Sequence, residues 1–340
     1  MGHNLLDKQY ESFDVLKFVL SISVVAIHID PLLNFSGTFI YDIYRSLISL
    51  SVPVFFIMTG FLISNKMSSL NFANTYENSS NTIIISHIRK LFKLYIIWNL
   101  IYLPLDIYYY FELHKSVIYA IADYLRGLIF VGEHHKSWML WYLLSSIYAL
   151  ILVNGGVKRK WKKQTLLFIG TIIGAFGILI TLFVNEYISL PSYLILIFNV
   201  IQKCLVSGRI FTGFFYIPLG MCLYDRKTFR RFVSLSLIVL GLLFEIWSPK
   251  IGFIYEIGRV VGAVGLFEGA YSVHIHMKKF SNLKLRHMST YIYLIHLLVW
   301  EVLYLFFCKS LIKGFIPFLI TITFSIIISY VIMIVQNKFN

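Results

Sequence analysis

Apolar residues run along this chain in long blocks separated by short polar clusters. The blocks fall near 13–31, 40–64, 91–111, 138–154, 165–184, 210–224, 232–248, 251–273, 288–307 and 315–336. Several approach the roughly 20 apolar residues needed to cross a hydrocarbon core about 30 Å thick. The runs are continuous rather than alternating, which predicts helices and not the strands of a barrel. Two further stretches, 117–130 and 192–207, are apolar but interrupted by Asp123, Arg126, Gln202 and Lys203. The pattern predicts an all-α, polytopic transmembrane helical bundle. It has about ten transmembrane helices and two interfacial or re-entrant helices.

Composition agrees. The 340 residues are 58% hydrophobic and only 14% charged, too little charged surface for a soluble domain of this length. The net charge of +14 would suggest nucleic acid in a soluble protein, but no recognition motif is present. The basic residues gather instead in short loops, as membrane orientation requires. With the N-terminus in the cytoplasm, ten spans place "RKLFK" (89–93), "KRKWKK" (158–163), "DRKTFRR" (225–231) and "KKFSNLKLR" (278–286) inside. Nineteen Lys/Arg then lie inside and nine outside, with Lys17 and Arg259 within helices. Counting either ambiguous stretch as one more span would move "KRKWKK" or "DRKTFRR" outside, so both are read as lying on the outer face.

The expected location is the cell membrane, of the bacterial inner-membrane kind, with both termini cytoplasmic. The N-terminal "MGHNLLDKQYESF" has no basic n-region, and no small-residue cleavage site follows the first apolar run, so that run is expected to stay as a helix. No 20–50-residue repeat or linker-separated second domain is visible, so 1–340 is read as one domain. Its longest polar stretch, "NKMSSLNFANTYENSSN" (65–81), predicts a mobile cytoplasmic loop over 65–86. Cys204, Cys222 and Cys308, scattered and odd in number, support neither a disulfide framework nor a thiolate metal site.

The first block, "DVLKFVLSISVVAIHID" (14–30), carries Lys17 and His28 within an otherwise lipid-compatible run. Lys17 and His28 are eleven positions apart, three helical turns plus roughly 20°, so they share one face about 16 Å apart. At that depth an imidazole is costly unless it faces protein or water. Two readings stay open from spacing alone. Lys17 could snorkel while His28 makes a polar inter-helix contact. Or the face lines a site, with a cation near the cytoplasm and a proton-handling ring further in.

Six segments in order bear on that choice. They are the Lys17-to-His28 helix, "SVPVFFIMTGFLIS" (51–64), "RKLFKLYIIW" (89–98), "LWYLLSSIYAL" (140–150), "SGRIFTGFFYIPLGM" (207–221) and "STYIYLIH" (289–296). Together they resemble the integral-membrane acyltransferase family 3, whose members move acyl groups onto carbohydrates and other cell-envelope acceptors. The resemblance covers about 15–330. Its departures are Lys17 and Lys93, where the family usually has Arg, and Met139, where it often has His. Lysine lacks arginine's bidentate fork, so the donor-phosphate geometry differs.

The resemblance implies an acyl-CoA-dependent O-acyltransferase, acetyl being the expected group, that acts on a hydroxyl of a glycan or cell-envelope molecule. His28 is then the general base. Arg89, Lys90 and Lys93, joined by Lys17, form the donor-phosphate site; the competing reading of the cluster is positive-inside anchoring. Arg209 could contact acceptor or thioester, or anchor at the interface. Trp141 and Tyr142 match a motif but equally suit an aromatic belt. His296 matches the ninth-helix histidine and reads as a packing contact before a second base.

Glu256 and Arg259, three apart, are expected to neutralise each other. "HIH" (274–276) and "HH" (134–135) lack a third nearby ligand, so no metal is expected. No cofactor is implied, acyl-CoA (acetyl-CoA as the expected form) being the co-substrate. The implied partners are acyl-CoA, a glycan or lipid-linked envelope acceptor and the lipid bilayer, with homo-oligomer formation left open and no nucleic acid. Two other classes compete: a transporter or flippase for an envelope intermediate, and a non-catalytic domain for amino-acid uptake or sensing.

Overall fold

The computed structural model describes residues 3–71, 76–185, 191–205, 207–226, 229–248, 252–273, 275, 279–307 and 313–339. Among these the chain is helical, without a strand. It forms two compact units, one of residues 1–55, 227–250 and 254–340, the other of residues 56–226 and 251–253. The first unit holds α1 (His3–Ile29), α2 (Phe39–Ser49) and the start of α3 (Ser51–Asn71). The second holds the rest of α3, then α4 (Tyr76–Glu112), α5 (Val117–Arg126), α6 (Trp141–Lys158), α7 (Lys163–Val184), α8 (Ser192–Cys204) and α9 (Thr212–Tyr224). The chain then returns to the first unit for α10 (Arg231–Trp247), α11 (Phe253–Ser272), α12 (Lys279–Phe307) and α13 (Phe315–Phe339).

Seven segments among the described residues are long and apolar enough to cross a membrane. They are Glu11–Ile29, Phe39–Ser69, Ser80–Glu112, Trp138–Lys158, Lys163–Val184, Lys284–Leu305 and Phe315–Gln336. The other three expected spans coincide with α9, α10 and α11, of 13, 17 and 20 residues. At 1.5 Å per residue α9 reaches only about 20 Å, and α11 carries Glu256, Arg259 and Glu268. By length and composition alone, seven segments among the described residues qualify, which leaves the expected count of about ten unconfirmed. Direction adds a constraint inside the first unit. Asp14, midway along α1, meets Arg286, and His28, near its end, meets His296, so α1 and α12 run the same way. An odd number of crossings must separate two parallel spans, whereas the seven segments put four between them. At least one shorter helix supplies the difference. α5 and α8, of 10 and 13 residues, are too short to cross the core unaided.

Two sequence expectations need correction. The block 40–64 is not one helix: α2 ends at Ser49 and α3 begins at Ser51. Pro53 has no N–H for the Ser49 carbonyl, the Ser49 hydroxyl donates to Ser46 O at 2.8 Å, and Leu50 N closes a tighter turn onto Leu47 O. Nor is 65–86 a loop. α3 continues to Asn71 and α4 starts at Tyr76, leaving 72–75 outside the described residues.

In lipid, helices associate through close packing rather than the hydrophobic effect, and glycines supply that here. A Cβ on Gly60 would lie 1.9 Å from Ile217 O, and one on Gly220 2.1 Å from Ile57 O, so α3 and α9 touch backbone to backbone. Pro218 leaves the Phe214 carbonyl without a helical donor, and α7 sets Gly170 against it, where a Cβ would approach to 2.0 Å. In the first unit Gly241 of α10 meets Gly258 and Gly262 of α11 in the same manner. Glu256 and Arg259 form the expected ion pair at 2.8 Å.

Candidate active site

In the first unit α1 stops just after His28, because Asp30 turns to φ +52° and Pro31 cannot continue the helix. His28 is thus held in the last turn, half-buried, with Lys17 half-buried on the same helix. α12 carries His296 to the His28 ring: centroids are 5.3 Å apart and the planes differ by 25°. His296 is fully buried. Its Nδ1 lies 3.1 Å from Ile292 O. Since a carbonyl only accepts, the proton of the neutral ring sits on Nδ1 and Nε2 keeps a lone pair. That Nε2 is buried without a hydrogen-bond partner among the described residues.

The same two helices are also joined midway along α1. Arg286 Nε and Nη2 donate to the two Asp14 oxygens at 3.0 and 2.8 Å, and Asp14 is buried. Val25, Ile29, Ile292 and Ile322 pack as an apolar cluster. His28 is therefore carried by a helix joined to α12 both at its middle and in its last turn.

In the second unit Thr82, Ile85, Ser86, Arg89, Lys90 and Lys93 line a cavity of about 570 Å³. Their spacing puts all six on one face of α4. Arg89, Lys90 and Lys93 are exposed, and no described residue pairs with them. The next basic cluster differs. Lys163 bonds Asp225 at 2.8 Å and lies over the Tyr224 ring, and Arg159 lies over Trp161.

Three of the segments noted in the sequence meet in this unit. Phe56 packs on Tyr142 and Trp141, with ring centroids 4.6 and 6.1 Å away. The Thr59 and Tyr142 hydroxyls are 3.5 Å apart. Gly213 N–H donates to Ser145 Oγ at 3.0 Å. Both α6 aromatics therefore pack on Phe56 of α3.

Arg209 stands at the turn before α9, with its Nη1 3.5 Å from Glu133 Oε1. Burial pushes the Glu133 carboxyl up, and the Arg209 charge opposes that. Next to it, His134 is buried against Tyr124, with ring centroids 4.2 Å apart. Burial lowers its pKa to about 4. Among the described residues no three His, Cys, Asp or Glu side chains gather as a metal site; His274 and His276 lie outside those residues.

The first unit thus holds Lys17, His28 and His296 together, and the second holds Arg89, Lys90, Lys93, Trp141, Tyr142 and Arg209. Sequence reasoning passed over Asp30, Tyr41 and Arg45, which stand at the end of α1. The available signal was the spacing of Tyr41, Tyr44 and Arg45 at i, i+3 and i+4, one helix face directly after an Asp-Pro stop.

A family model described as an acyltransferase domain matches residues 10–334. Two curated relatives from Enterococcus faecalis, each named amino-acid racemase, are similar to part of the chain. One is 25% identical over 251 residues, 69% of this chain and 32% of the relative. The other is 26% identical over 247 residues, 72% of this chain and 32% of the relative. The chain spans about a third of the length of these relatives. No solved structure matches.

Proposed function

The chain belongs to acyltransferase family 3, and from that premise we propose that it is a membrane-embedded O-acyltransferase using cytoplasmic acyl-CoA. The acyl group is acetyl and the acceptor is a hydroxyl of a glycan or lipid-linked envelope molecule. Both termini face the cytoplasm of a bacterial cell, so α4 begins on the donor side and α1 ends towards the acceptor side.

The observation that carries the proposal is the setting of His28. It is a half-buried imidazole in the last turn of a membrane helix, stacked on a second, fully buried imidazole. An ionisable group at membrane depth is costly and commonly marks a functional site. As general base His28 takes the proton of the acceptor hydroxyl while its oxygen attacks the thioester carbonyl. The C–O bond forms, the C–S bond breaks, and the imidazolium returns its proton to the departing thiolate.

The cavity on α4 supports the donor assignment. A cation already paired within the protein has less to offer a phosphate, and Arg89, Lys90 and Lys93 are unpaired among the described residues where Lys163 is not. With Thr82 and Ser86 they present charge and hydroxyl donors to an anion, and about 570 Å³ is in the range of a small-molecule site. Lys17, on α1 of the first unit, is the further basic residue that the family resemblance assigns to the donor.

A second reading follows from the relatives' printed name. In it the domain binds or passes an amino acid without turnover. Purified protein incubated with acetyl-CoA separates the two: free CoA released at a rate that rises with a hydroxyl acceptor supports transfer, and binding with no thiol release supports the second reading.

A further inference from the structure

We propose that Asp30, Tyr41 and Arg45 are positioning residues for His28, holding the last turn of α1 so that the ring meets the reacting hydroxyl in one orientation. The proposal rests on the reading of His28 as the base. An α-helix leaves its last four carbonyls without helical donors. Most helices satisfy them with water or a glycine cap. In α1 other elements supply donors to Ile27 and Ile29. Arg45 Nη1 donates to Ile27 O at 3.2 Å, while Ala26 O, which already accepts the Asp30 N–H at 3.0 Å, also takes Tyr44 Oη at 3.3 Å. Gly314 N–H, at the start of α13, donates to Ile29 O at 3.0 Å. The carbonyls on both sides of His28 are thereby fixed from outside the helix.

Asp30 tightens the arrangement. It is buried and adopts the left-handed conformation that Asp tolerates better than most residues. Its Oδ2 accepts from Tyr41 Oη at 2.6 Å and lies 3.9 Å from Arg45 Nη1. A carboxylate at a helix C-terminus meets partial negative charge from the carbonyls. Arg45 offsets both charges with one guanidinium nitrogen. α2 is set for this by its own first turn, where Thr38 Oγ1 caps Tyr41 N at 3.2 Å.

A simple helix stop would not need a buried carboxylate, whose Oδ1 has no hydrogen-bond partner among the described residues. Such an atom in a native structure calls for a reason. Its place two residues after His28 supplies one. If the last turn frays or rotates, His28 moves with it, and misplacing a reacting group by about 1 Å can cost roughly a hundredfold in rate.

The test uses the full chain in detergent with acetyl-CoA as substrate and water as acceptor. Tyr41→Phe removes one oxygen, Arg45→Gln removes the charge, and Arg45→Lys keeps it. The expected result is a fall in kcat of about ten- to a hundredfold in Tyr41→Phe and Arg45→Gln. KM for acetyl-CoA stays within twofold, and Arg45→Lys recovers part of the loss. A lowered Tm with unchanged kcat per folded molecule would overturn the proposal and make the contacts purely structural. If Arg45→Gln does not fold, Tyr41→Phe decides alone. His28→Gln measured in parallel separates the two claims. Retained turnover there removes the base reading, whereas its loss alongside normal Tyr41→Phe and Arg45→Gln removes only the positioning.

Discussion

The imidazoles of His28 and His296 stack with ring centroids 5.3 Å apart, and only the first is reachable, since His296 is fully buried. His296 therefore acts as a wall behind His28, with its own proton committed to the Ile292 carbonyl. His296→Phe keeps a ring of similar size and removes a buried nitrogen without a partner. Its stability should stay within about 1 kcal/mol of the parent, with turnover reduced by no more than a few-fold. His296→Ala should cost about 2–4 kcal/mol by opening a cavity and lose most turnover. Thermal melting and acetyl-CoA turnover of the two variants check this, and a dead but stable His296→Phe would promote His296 to a second proton-handling group.

The donor site predicts unequal roles for two basic clusters. Arg89→Ala and Lys93→Ala should each weaken acetyl-CoA binding by about 1.5–3 kcal/mol, the range for hydrogen bonds to charged groups. Lys160→Ala should leave it unchanged. Calorimetric titration of acetyl-CoA into the three variants is the check. Equal, negligible effects would return the α4 cluster to membrane anchoring.

Much of this was legible in sequence, and the misses have physical causes. Apolar runs located the helices because lipid-facing and packed surfaces are both apolar. The same property hid the break at Leu50, where Pro53 and Ser49 act inside an uninterrupted apolar run. Residues 65–71 and 76–86 are polar and looked like a loop. Polarity says only that a segment leaves the membrane, and α3 and α4 carry their hydrogen bonding beyond it. At the site, Lys17 and His28 stood out because charge in lipid is rare. Arg45 does not stand out in the sequence, since its contacts with Asp30 and the Ile27 carbonyl depend on how α2 folds back along α1.

Orientation gives a third prediction. The asymmetry of nineteen inner against nine outer Lys/Arg puts residue 160 in the cytoplasm and residue 115 outside. Single cysteines introduced at Lys160 and Lys115 should react with a membrane-impermeant maleimide from opposite sides. Labelling of both from one side would contradict this orientation.

A fourth prediction concerns pH and the His134 ring, which lies between the spans. An unfolded histidine takes its proton near pH 6.5, whereas burial holds His134 back to about 4. Between those values the unfolded chain binds more protons, so stability is full above about 6.5 and declines as pH falls towards 4. Glu133, raised by burial, acts in the opposite direction on acidification. The comparison with His134→Gln isolates the ring. The variant should show a shallower fall of Tm between pH 6.5 and 4, and a parallel fall in both proteins would assign the effect to other groups.

The most direct measurement is acetyl-CoA turnover in His28→Ala and His28→Gln, taken with Tm and acetyl-CoA affinity on the same preparations. Loss of a general base commonly lowers a rate about a hundred- to ten-thousandfold. Both variants should therefore lose turnover to that extent while they fold and bind acetyl-CoA as the parent does. In the parent, activity should also fall on acidification as the imidazole takes its proton. Turnover at the parent's rate in either variant, with that acidic limb intact, would contradict the assignment of His28 as the base.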